Sequence, residues 1–152
     1  MAPEPPTWRV LVSDELSEEG LEVLRRDPAV ELVVKTGLLP RELKQEIAGY
    51  HGLLVRSATK VTADIIEAGA KLMVIGRAGV GVDNIDVEAA TRRGVVVCNS
   101  PEGNTVAAAE HTWALILALA RNVPAASASL EAGEWKRSTF MGVELLNKTL
   151  GV

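Results

Sequence analysis

Two arginines and a hydroxyl residue follow short apolar runs, at positions where an anion could be bound. Arg56 and Ser57 come directly after the run Gly52–Val55, and Arg77 comes shortly after the run 72–75. Guanidinium groups bind phosphate and carboxylate through parallel hydrogen bonds. If both runs are neighbouring parallel strands, their carboxyl ends meet at one edge of the sheet, where ligands of open α/β sheets bind. The spacing therefore predicts a site for a doubly charged anion.

A glycine-rich segment, residues 76–84 with the sequence GRAGVGVDN, surrounds the second arginine. Gly79 and Gly81 permit positive φ and close backbone approach, so exposed N–H groups there could hold a carboxylate or phosphate. The spacing is not G-x-G-x-x-G, and it does not predict a dinucleotide loop. The alternative is a tight turn with surface arginines that pair with nearby carboxylates: Asp14, Asp64 or Asp83.

The other reactive side chains give weaker signals. His51 precedes a strand and His111 lies in a helical pattern, so surface or interface roles are favoured over catalysis, and two histidines so placed do not make a metal site. Cys98, at the end of an apolar run, is expected in the core. A single cysteine forms neither an intramolecular disulfide nor a zinc cluster, and a reducing compartment fits best.

The composition excludes several classes of protein. Of 152 residues, 47% are hydrophobic and 24% are charged, which is typical of a globular chain and not of a disordered one. The net charge of −4 argues against a general nucleic-acid binder. The longest apolar run, residues 113–120, is far below the ~20 residues of a membrane span. We expect a cytoplasmic protein with no membrane or nucleic-acid partner.

Apolar runs and helical patterns alternate along the first hundred residues. Runs without period-two alternation are typical of parallel strands covered on both faces. Thr62 and Asp86 are expected N-caps, and Gly94 is expected to end a helix. The pattern predicts a doubly wound α/β fold with a parallel, flavodoxin-like sheet. The predicted strands are 9–13, 31–34, 52–55, 72–75 and 95–98, and the predicted helices are 18–26, 41–48, 63–68 and 87–93.

Two other doubly wound families are disfavoured. A phosphoryl-accepting receiver domain needs an aspartate after the third strand, where this chain has Arg56. A flavodoxin needs a phosphate loop rich in serine and threonine after the first strand. Residues 14–19 are acidic instead, and they would repel a phosphate.

The pattern changes after Asn99. Residues 100–103 predict a turn, and residues 106–121 predict a helix that is apolar on nearly all sides, as in a buried or interface helix. A second helix is expected from Pro124 to about residue 133. Residues 148–152 are expected to begin another buried strand.

These motifs resemble a known family. The run from Gly52 to Asn104 includes LLVRSATKVTADII and VIGRAGVGVDNIDVEAATRRGVVVCNSPEGNT, and it closely resembles the D-3-phosphoglycerate dehydrogenase family of the D-isomer-specific 2-hydroxyacid dehydrogenases. AAAEHTWALILALAR, LEAGEWKRSTFMGVEL and KTLGV continue the resemblance. It implies a flexible tail (1–7), a substrate-binding domain (8–99) and the start of a Rossmann-type NAD-binding domain (100–152). The family oxidises 3-phospho-D-glycerate to 3-phosphohydroxypyruvate with NAD in serine biosynthesis.

The resemblance also implies roles for individual residues. Arg56, Ser57 and Arg77 match positions near the substrate phosphate. The N–H groups of Val80 and Gly81 match those that hold the substrate carboxylate, and Val80 also matches a position on the nicotinamide side of the cofactor. The interdomain cleft of the family has an asparagine at the position of Asn104, and a homo-oligomer through the 104–121 helix is expected.

The family's G-x-G-x-x-G loop and its catalytic arginine, glutamate and histidine match no residue of this sequence. The chain is therefore expected to be an N-terminal part of the enzyme with little or no activity alone. Three alternatives remain open: an anion-binding module without catalysis, an oligomerising module, or part of a dehydrogenase for another 2-hydroxy acid.

Overall fold

The fold is built on one parallel sheet, seen in a computed structural model that describes residues 7–151. The described strands are β1 (Trp8–Val12), β2 (Val30–Val34), β3 (Gly52–Val55), β4 (Val74–Arg77) and β5 (Val96–Asn99). Their spatial order is β2-β1-β3-β4-β5, and every neighbouring pair is parallel. This order is that of the flavodoxin-like sheets. The predicted doubly wound fold is confirmed.

Six helices are described, of which the first four connect the strands at the predicted places and the last two follow β5. They are α1 (Glu18–Arg25), α2 (Pro40–Glu46), α3 (Ala63–Ala68), α4 (Val87–Arg92), α5 (Thr105–Ala120) and α6 (Val123–Glu131). The Asp86 carboxylate accepts a hydrogen bond from the N–H of Ala89, which confirms this N-cap. Gly94 has a φ of 69°, as expected of the glycine that ends a helix. Thr62 occupies the N-cap of α3, but its side chain makes no capping hydrogen bond.

Strand β4 begins two residues later than predicted. Leu72 is buried, but it belongs to the turn before the strand, where its N–H donates to the carbonyl of Gly69. The apolar run therefore included a core residue that is not in the sheet. The strand also ends two residues later than predicted, so Arg77 is its last residue. Arg77 pairs with Val55 of β3 and Asn99 of β5.

The main core lies on one face of the sheet. Leu11, Leu53 and Ile75 come from three adjacent strands, and each is fully buried. They pack with Ile47, which directly follows α2, and with side chains of the helices α2, α3 and α4: Leu43, Ile65, Ile66, Ala89 and Ala90. The other face is only partly covered: α1 lies beside β2, whereas Val74 and Val96 are 39% and 57% exposed.

The prediction that Cys98 lies in the core is wrong, because its thiol is exposed. Val95 and Val97 point into or pack against the core, and residues alternate between faces along a strand. Val96 and Cys98 therefore lie on the opposite, uncovered face of the edge strand β5.

The chain divides into two compact units, the first ending at Gly103 and the second beginning at Asn104. Sequence reasoning placed the boundary between Asn99 and Ser100. In the second unit, neither α5 nor α6 contains a buried residue, and Trp113 and Leu119 are 47% and 82% exposed.

The expected strand at residues 148–152 is not formed in residues 148–151, which are exposed and irregular. A strand needs a partner for its hydrogen bonds, and the described part of the second unit contains no strand. Val152 and the tail residues 1–6 lie outside the described residues.

No single helix of the described chain is both long and apolar enough to cross a membrane. The helices α5 and α6 reach the required length and composition only when taken together across a 64° bend.

Candidate functional site

The candidate site lies at the carboxyl edge of the sheet in the first unit. Arg56 and Ser57 follow β3, and Arg77 ends the neighbouring strand β4. Ser13 and Asp14 follow β1 on the other side of β3. The chain runs from β1 to β2 on one side and from β3 to β4 on the other side of the sheet. Such a switch point between β1 and β3 leaves a crevice in which ligands bind. The structure thus brings the predicted arginines and serine to one edge.

Two open cavities lie along this edge, with volumes of 640 Å³ and 570 Å³. Arg56 lines both of them. Ser57 lines the larger cavity, together with Asp14, and Arg77 lines the smaller one. Val80 and Gly81 are not among the residues that line either cavity. The edge therefore offers the space for a small molecule beside the exposed Arg56.

Arg77 is largely occupied by contacts within the protein. Its side chain is only 10% exposed. Nε donates to the carbonyl of Arg56 at 3.3 Å, Nη1 donates to the carbonyl of Gly81, and Nη2 lies 3.5 Å from the Asp83 carboxylate. Asp83 is one of the three carboxylates that the sequence analysis named as possible partners of a surface arginine. Arg77 therefore links two loops and keeps only part of its five N–H groups for a ligand.

Arg56 is the more available cation. It is exposed, and its guanidinium makes one long hydrogen bond, from Nη1 to the carbonyl of Glu15 at 3.4 Å. Its contact with Asp14 is made by the backbone N–H and not by the guanidinium. No carboxylate of the described residues forms an ion pair with Arg56. The charge expected to attract an anion is thus carried chiefly by this side chain.

The glycine-rich loop presents two oriented N–H groups. The carbonyl of Gly79 accepts from the N–H of Ser100 at 3.0 Å, and the carbonyl of Val80 accepts from Nδ2 of Asn99 at 2.6 Å. Because a trans peptide is planar, fixing these carbonyls also fixes the N–H groups of Val80 and Gly81, which point the opposite way. Neither N–H has a hydrogen-bond partner within residues 7–151. They are suited to donate hydrogen bonds to a carboxylate.

Gly79 and Gly81 do not use the positive φ that glycine permits, since the described glycines with positive φ are Gly37, Gly94 and Gly133. Close packing explains Gly81 instead. A Cβ there would lie 2.9 Å from Oδ1 of Asp83 and 3.1 Å from Nη1 of Arg77. Because Gly81 has no side chain, the Arg77 guanidinium can approach the loop closely and donate to the Gly81 carbonyl.

Asp14 is a buried carboxylate at the end of β1, with 6% of its surface exposed. Its Oδ2 accepts from the backbone N–H groups of Arg56 at 2.6 Å and Thr59 at 3.2 Å. Its Oδ1 accepts from the Thr59 hydroxyl at 2.7 Å. Hydrogen bonds of this kind stabilise a carboxylate that is removed from water. Asp14 thereby ties residues 56–59 to β1.

Asn84 holds the same residues from the other side. Its Nδ2 donates to the carbonyls of Arg56 and Thr59, both at 2.7 Å. The backbone carbonyl of Asn84 accepts from the N–H of Val61, so the asparagine itself is fixed. Its Oδ1 is buried without a partner in the described part of the chain.

Sequence reasoning did not assign these supporting residues to the site: Asp14, Thr59, Asn84 and Asn99. Asp14 gave the clearest signal, because a carboxylate directly after a buried strand lies at the ligand-binding edge. Thr59, Asn84 and Asn99 are recognisable only from contacts between loops.

The remaining candidate residues belong to the second unit or to the amino end of the sheet. Asn104 belongs to the second unit, as does the exposed His111. His51 lies at the amino end of β3, opposite the candidate site, where its Nδ1 accepts from the N–H of Arg9 at 3.1 Å. Residues 7–151 contain no cluster of three or more His, Cys, Asp and Glu side chains able to hold a metal ion.

One cluster with shifted pKa values lies beside β2 and α2. The Lys35 ammonium and the Tyr50 hydroxyl donate to the Glu46 carboxylate at 2.7 Å and 2.8 Å, and both hydrogen bonds lower the pKa of Glu46. The hydrogen bond to Glu46 raises the pKa of Lys35. Burial, followed by the hydrogen bond to Glu46, raises the pKa of Tyr50. None of these residues touches the arginines of the site.

A family model for the D-isomer specific 2-hydroxyacid dehydrogenase catalytic domain matches residues 10–144. The chain belongs to this family. The resemblance stated from the sequence motifs is confirmed.

Among the relatives of this 2-hydroxyacid dehydrogenase chain are D-3-phosphoglycerate dehydrogenases of Synechocystis sp. and Methanocaldococcus jannaschii. Each is 54% identical over 144 residues, which cover 95% of this chain but only 26% and 27% of the relatives. A solved structure of NAD⁺-bound 3-phosphoglycerate dehydrogenase from Entamoeba histolytica is 29% identical, with a TM-score of 0.68, over 76% of this chain and 40% of that one. The chain spans roughly a quarter of the length of these curated relatives.

The glycine-rich loop does not fit the pyrophosphate of a dinucleotide. The glycine-rich loop of this 2-hydroxyacid dehydrogenase chain leads into a turn, and α4 begins only at Val87, so the loop does not precede a helix N-terminus. A pyrophosphate is normally held at such a terminus.

Proposed function

We propose that this chain forms the substrate-binding part of an NAD-dependent D-3-phosphoglycerate dehydrogenase, which oxidises 3-phospho-D-glycerate to 3-phosphohydroxypyruvate in serine biosynthesis. The observation that carries the proposal is the sheet edge, where the exposed Arg56 and the oriented N–H groups of Val80 and Gly81 belong to one unit. The membership in the 2-hydroxyacid dehydrogenase family supports it.

The substrate carries two anionic ends, and the site offers different groups for each. Arg56 is proposed to bind the phosphate, with Ser57 donating its hydroxyl and Arg77 contributing the N–H groups that the loops leave available. The N–H groups of Val80 and Gly81 are proposed to bind the carboxylate. A guanidinium suits a dianion, and paired backbone N–H groups suit a carboxylate.

The contribution of this chain is to bind and orient the substrate. NAD would accept the hydride from the substrate, and its use is supported by the NAD⁺-bound neighbour from Entamoeba histolytica. Val80 is proposed to face the nicotinamide and Asn104 the interdomain cleft, as the family resemblance implies. The residues described here do not supply the pyrophosphate site.

We further propose that the enzyme works in the cytoplasm as a homo-oligomer joined through the 104–121 helix. The exposed apolar residues of α5, including Trp113, Leu115 and Leu119, support this contact. Size-exclusion chromatography with light scattering tests it. We expect the wild type to form a dimer and the Leu115→Glu variant to be monomeric. A wild type that is monomeric at high concentration would contradict the proposal.

Isothermal titration of the 152-residue chain tests the binding function. We expect 3-phosphoglycerate to bind more tightly than D-glycerate, which lacks the phosphate, or glycerol 3-phosphate, which lacks the carboxylate. Each missing anionic end removes charge-assisted hydrogen bonds. Equal affinity for 3-phosphoglycerate and D-glycerate would favour a dehydrogenase for another 2-hydroxy acid.

A further inference from the structure

Residues 56–59 form a loop in which Asp14 and Asn84 each contact both end residues. Arg77 Nε adds one hydrogen bond to the Arg56 carbonyl, and the Ser13 hydroxyl adds one to the Thr59 hydroxyl. The N–H groups of Arg56 and Thr59 both donate to Asp14, and the carbonyls of the same two residues both accept from Asn84. Loop backbone at a surface is ordinarily satisfied by water and mobile. Here its polar groups are committed to the protein on both sides.

We propose that Asp14 and Asn84 are positioning residues, which fix the 56–59 loop so that Arg56 and Ser57 meet the anion in a preformed geometry. The identity of that anion, 3-phosphoglycerate, rests on the proposed function. The fixing of the loop rests only on the contacts above. A binding side chain is effective when a supporting shell holds its backbone in place.

The two positioning residues come from opposite sides of the loop. Asp14 follows β1, and Asn84 lies in the turn that precedes α4, after β4. Strands β1 and β4 are the two neighbours of β3, from which the loop emerges. The loop is therefore attached to the strands on both sides of it, and it cannot tilt toward either one without breaking hydrogen bonds.

The charge of Asp14 makes a geometric role distinguishable from an electrostatic one. A buried carboxylate beside Arg56 repels an incoming anion, so its removal should strengthen anion binding if charge alone mattered. If positioning dominates, the removal of Asp14 weakens binding. The two explanations predict opposite signs.

Substitution of Asn84 tests the positioning role without any change of charge. Its amide places Nδ2 against two carbonyls and leaves Oδ1 buried and unpartnered among the described residues. A buried unpaired acceptor is unfavourable and requires an explanation. The two hydrogen bonds to the loop provide one, because a reversed amide would set its oxygen against both carbonyls.

The test combines titration of 3-phosphoglycerate with amide hydrogen exchange by NMR, both on the full 152-residue chain. In the wild type, the amides of Arg56 and Thr59 are expected to exchange slowly. Asp14→Ala and Asn84→Ala should each weaken binding about tenfold, the lower end of what the loss of a supporting residue costs in affinity at metal sites. Asp14→Ala should also release both amides.

Two further variants separate the explanations. Asp14→Asn retains an oxygen for the two N–H groups, and it should restore most of the affinity lost in Asp14→Ala. Glu15→Gln removes a neighbouring negative charge whose carboxylate makes no hydrogen bond or ion pair in the described residues, and its binding should be unchanged or tighter. Circular dichroism identifies any variant that fails to fold. The binding affinities of the folded variants then decide between the geometric and the electrostatic role.

The outcomes distinguish this proposal from the proposed function. Wild-type affinity in folded Asp14→Ala and Asn84→Ala, or fast exchange of both amides in the wild type, would overturn the positioning role. If the wild type binds no 3-phosphoglycerate but the protected amides are released in Asp14→Ala, the loop is fixed as proposed and the function is wrong.

Discussion

The side-chain amide of Asn99 donates to the backbone carbonyl of Val80 at 2.6 Å, across 19 residues of sequence. The bond joins the end of β5 to the glycine-rich loop. Through the planar peptide it also sets the direction of the Gly81 N–H, which is one of the two groups proposed to hold the substrate carboxylate. An edge strand thereby controls a loop that follows its neighbour.

Replacement of Asn99 by alanine should weaken 3-phosphoglycerate binding by about two- to tenfold, the value of one hydrogen bond. The affinity for glycerol 3-phosphate should not change, because this probe lacks the carboxylate. Titration calorimetry with both ligands measures the difference. Lys71→Ala is the control, since its exposed side chain makes no hydrogen bond or ion pair among the described residues and lines neither cavity of the edge. Equal losses for both ligands would contradict a role directed at the carboxylate.

The two arginines of the site should behave differently when truncated. Arg56→Ala should change the free energy of unfolding by less than about 0.5 kcal/mol, because the side chain is exposed. Arg77→Ala should destabilise the fold by about 1–3 kcal/mol, since it removes hydrogen bonds to the carbonyls of Arg56 and Gly81. Urea unfolding followed by circular dichroism measures both.

We expect Arg56→Ala to lower the affinity for 3-phosphoglycerate by about 10- to 100-fold, because it removes charge-assisted hydrogen bonds. Arg77→Lys keeps the charge but not the planar group that spans two loops, and it should be destabilised nearly as much as Arg77→Ala. Full stability in Arg77→Lys would show that charge alone matters at this position.

The ion pair between Lys35 and Glu46 should make stability depend on pH. The hydrogen bonds from Lys35 and Tyr50 hold the pKa of Glu46 below its ordinary value of 4.5. A group whose pKa is lowered on folding stabilises the protein above its unfolded pKa, and that stabilisation disappears as the pH falls through the folded pKa. Wild type should therefore exceed Glu46→Gln in stability at pH 7, and the difference should vanish in acid.

Urea unfolding at a series of pH values checks this prediction. Glu67→Gln is the matched control, because it removes an exposed carboxylate that makes no hydrogen bond or ion pair among residues 7–151. A stability difference for Glu46→Gln that persists at acidic pH would contradict the proposed cause.

The 152-residue chain with 3-phosphoglycerate and NAD should form no NADH. The glycine-rich loop does not fit a dinucleotide pyrophosphate, and His51 lies at the end of the sheet opposite the arginines. Absorbance at the wavelength of the reduced nicotinamide measures the rate. Turnover by the purified chain would show that these residues suffice for the reaction.

The sequence alone determined the fold class and predicted the edge of the sheet that holds the candidate site. Apolar runs such as Gly52–Val55, alternating with capped helices, are local patterns, and a parallel sheet covered by helices follows from them. The rule that ligands bind at the carboxyl ends of strands then located Arg56, Ser57 and Arg77. The motifs around them predicted the family correctly.

Only the tertiary structure decided what each side chain does at that edge. Arg77 turns back onto the carbonyls of Arg56 and Gly81, Cys98 lies on the uncovered face, and Asp14 and Asn84 meet the same loop although they are 70 residues apart in the sequence. These contacts depend on strand order and register, which place loops from distant parts of the chain together. Local patterns contain no information on such pairings, because a hydrogen bond between loops depends on their distance in space and not on their own sequences.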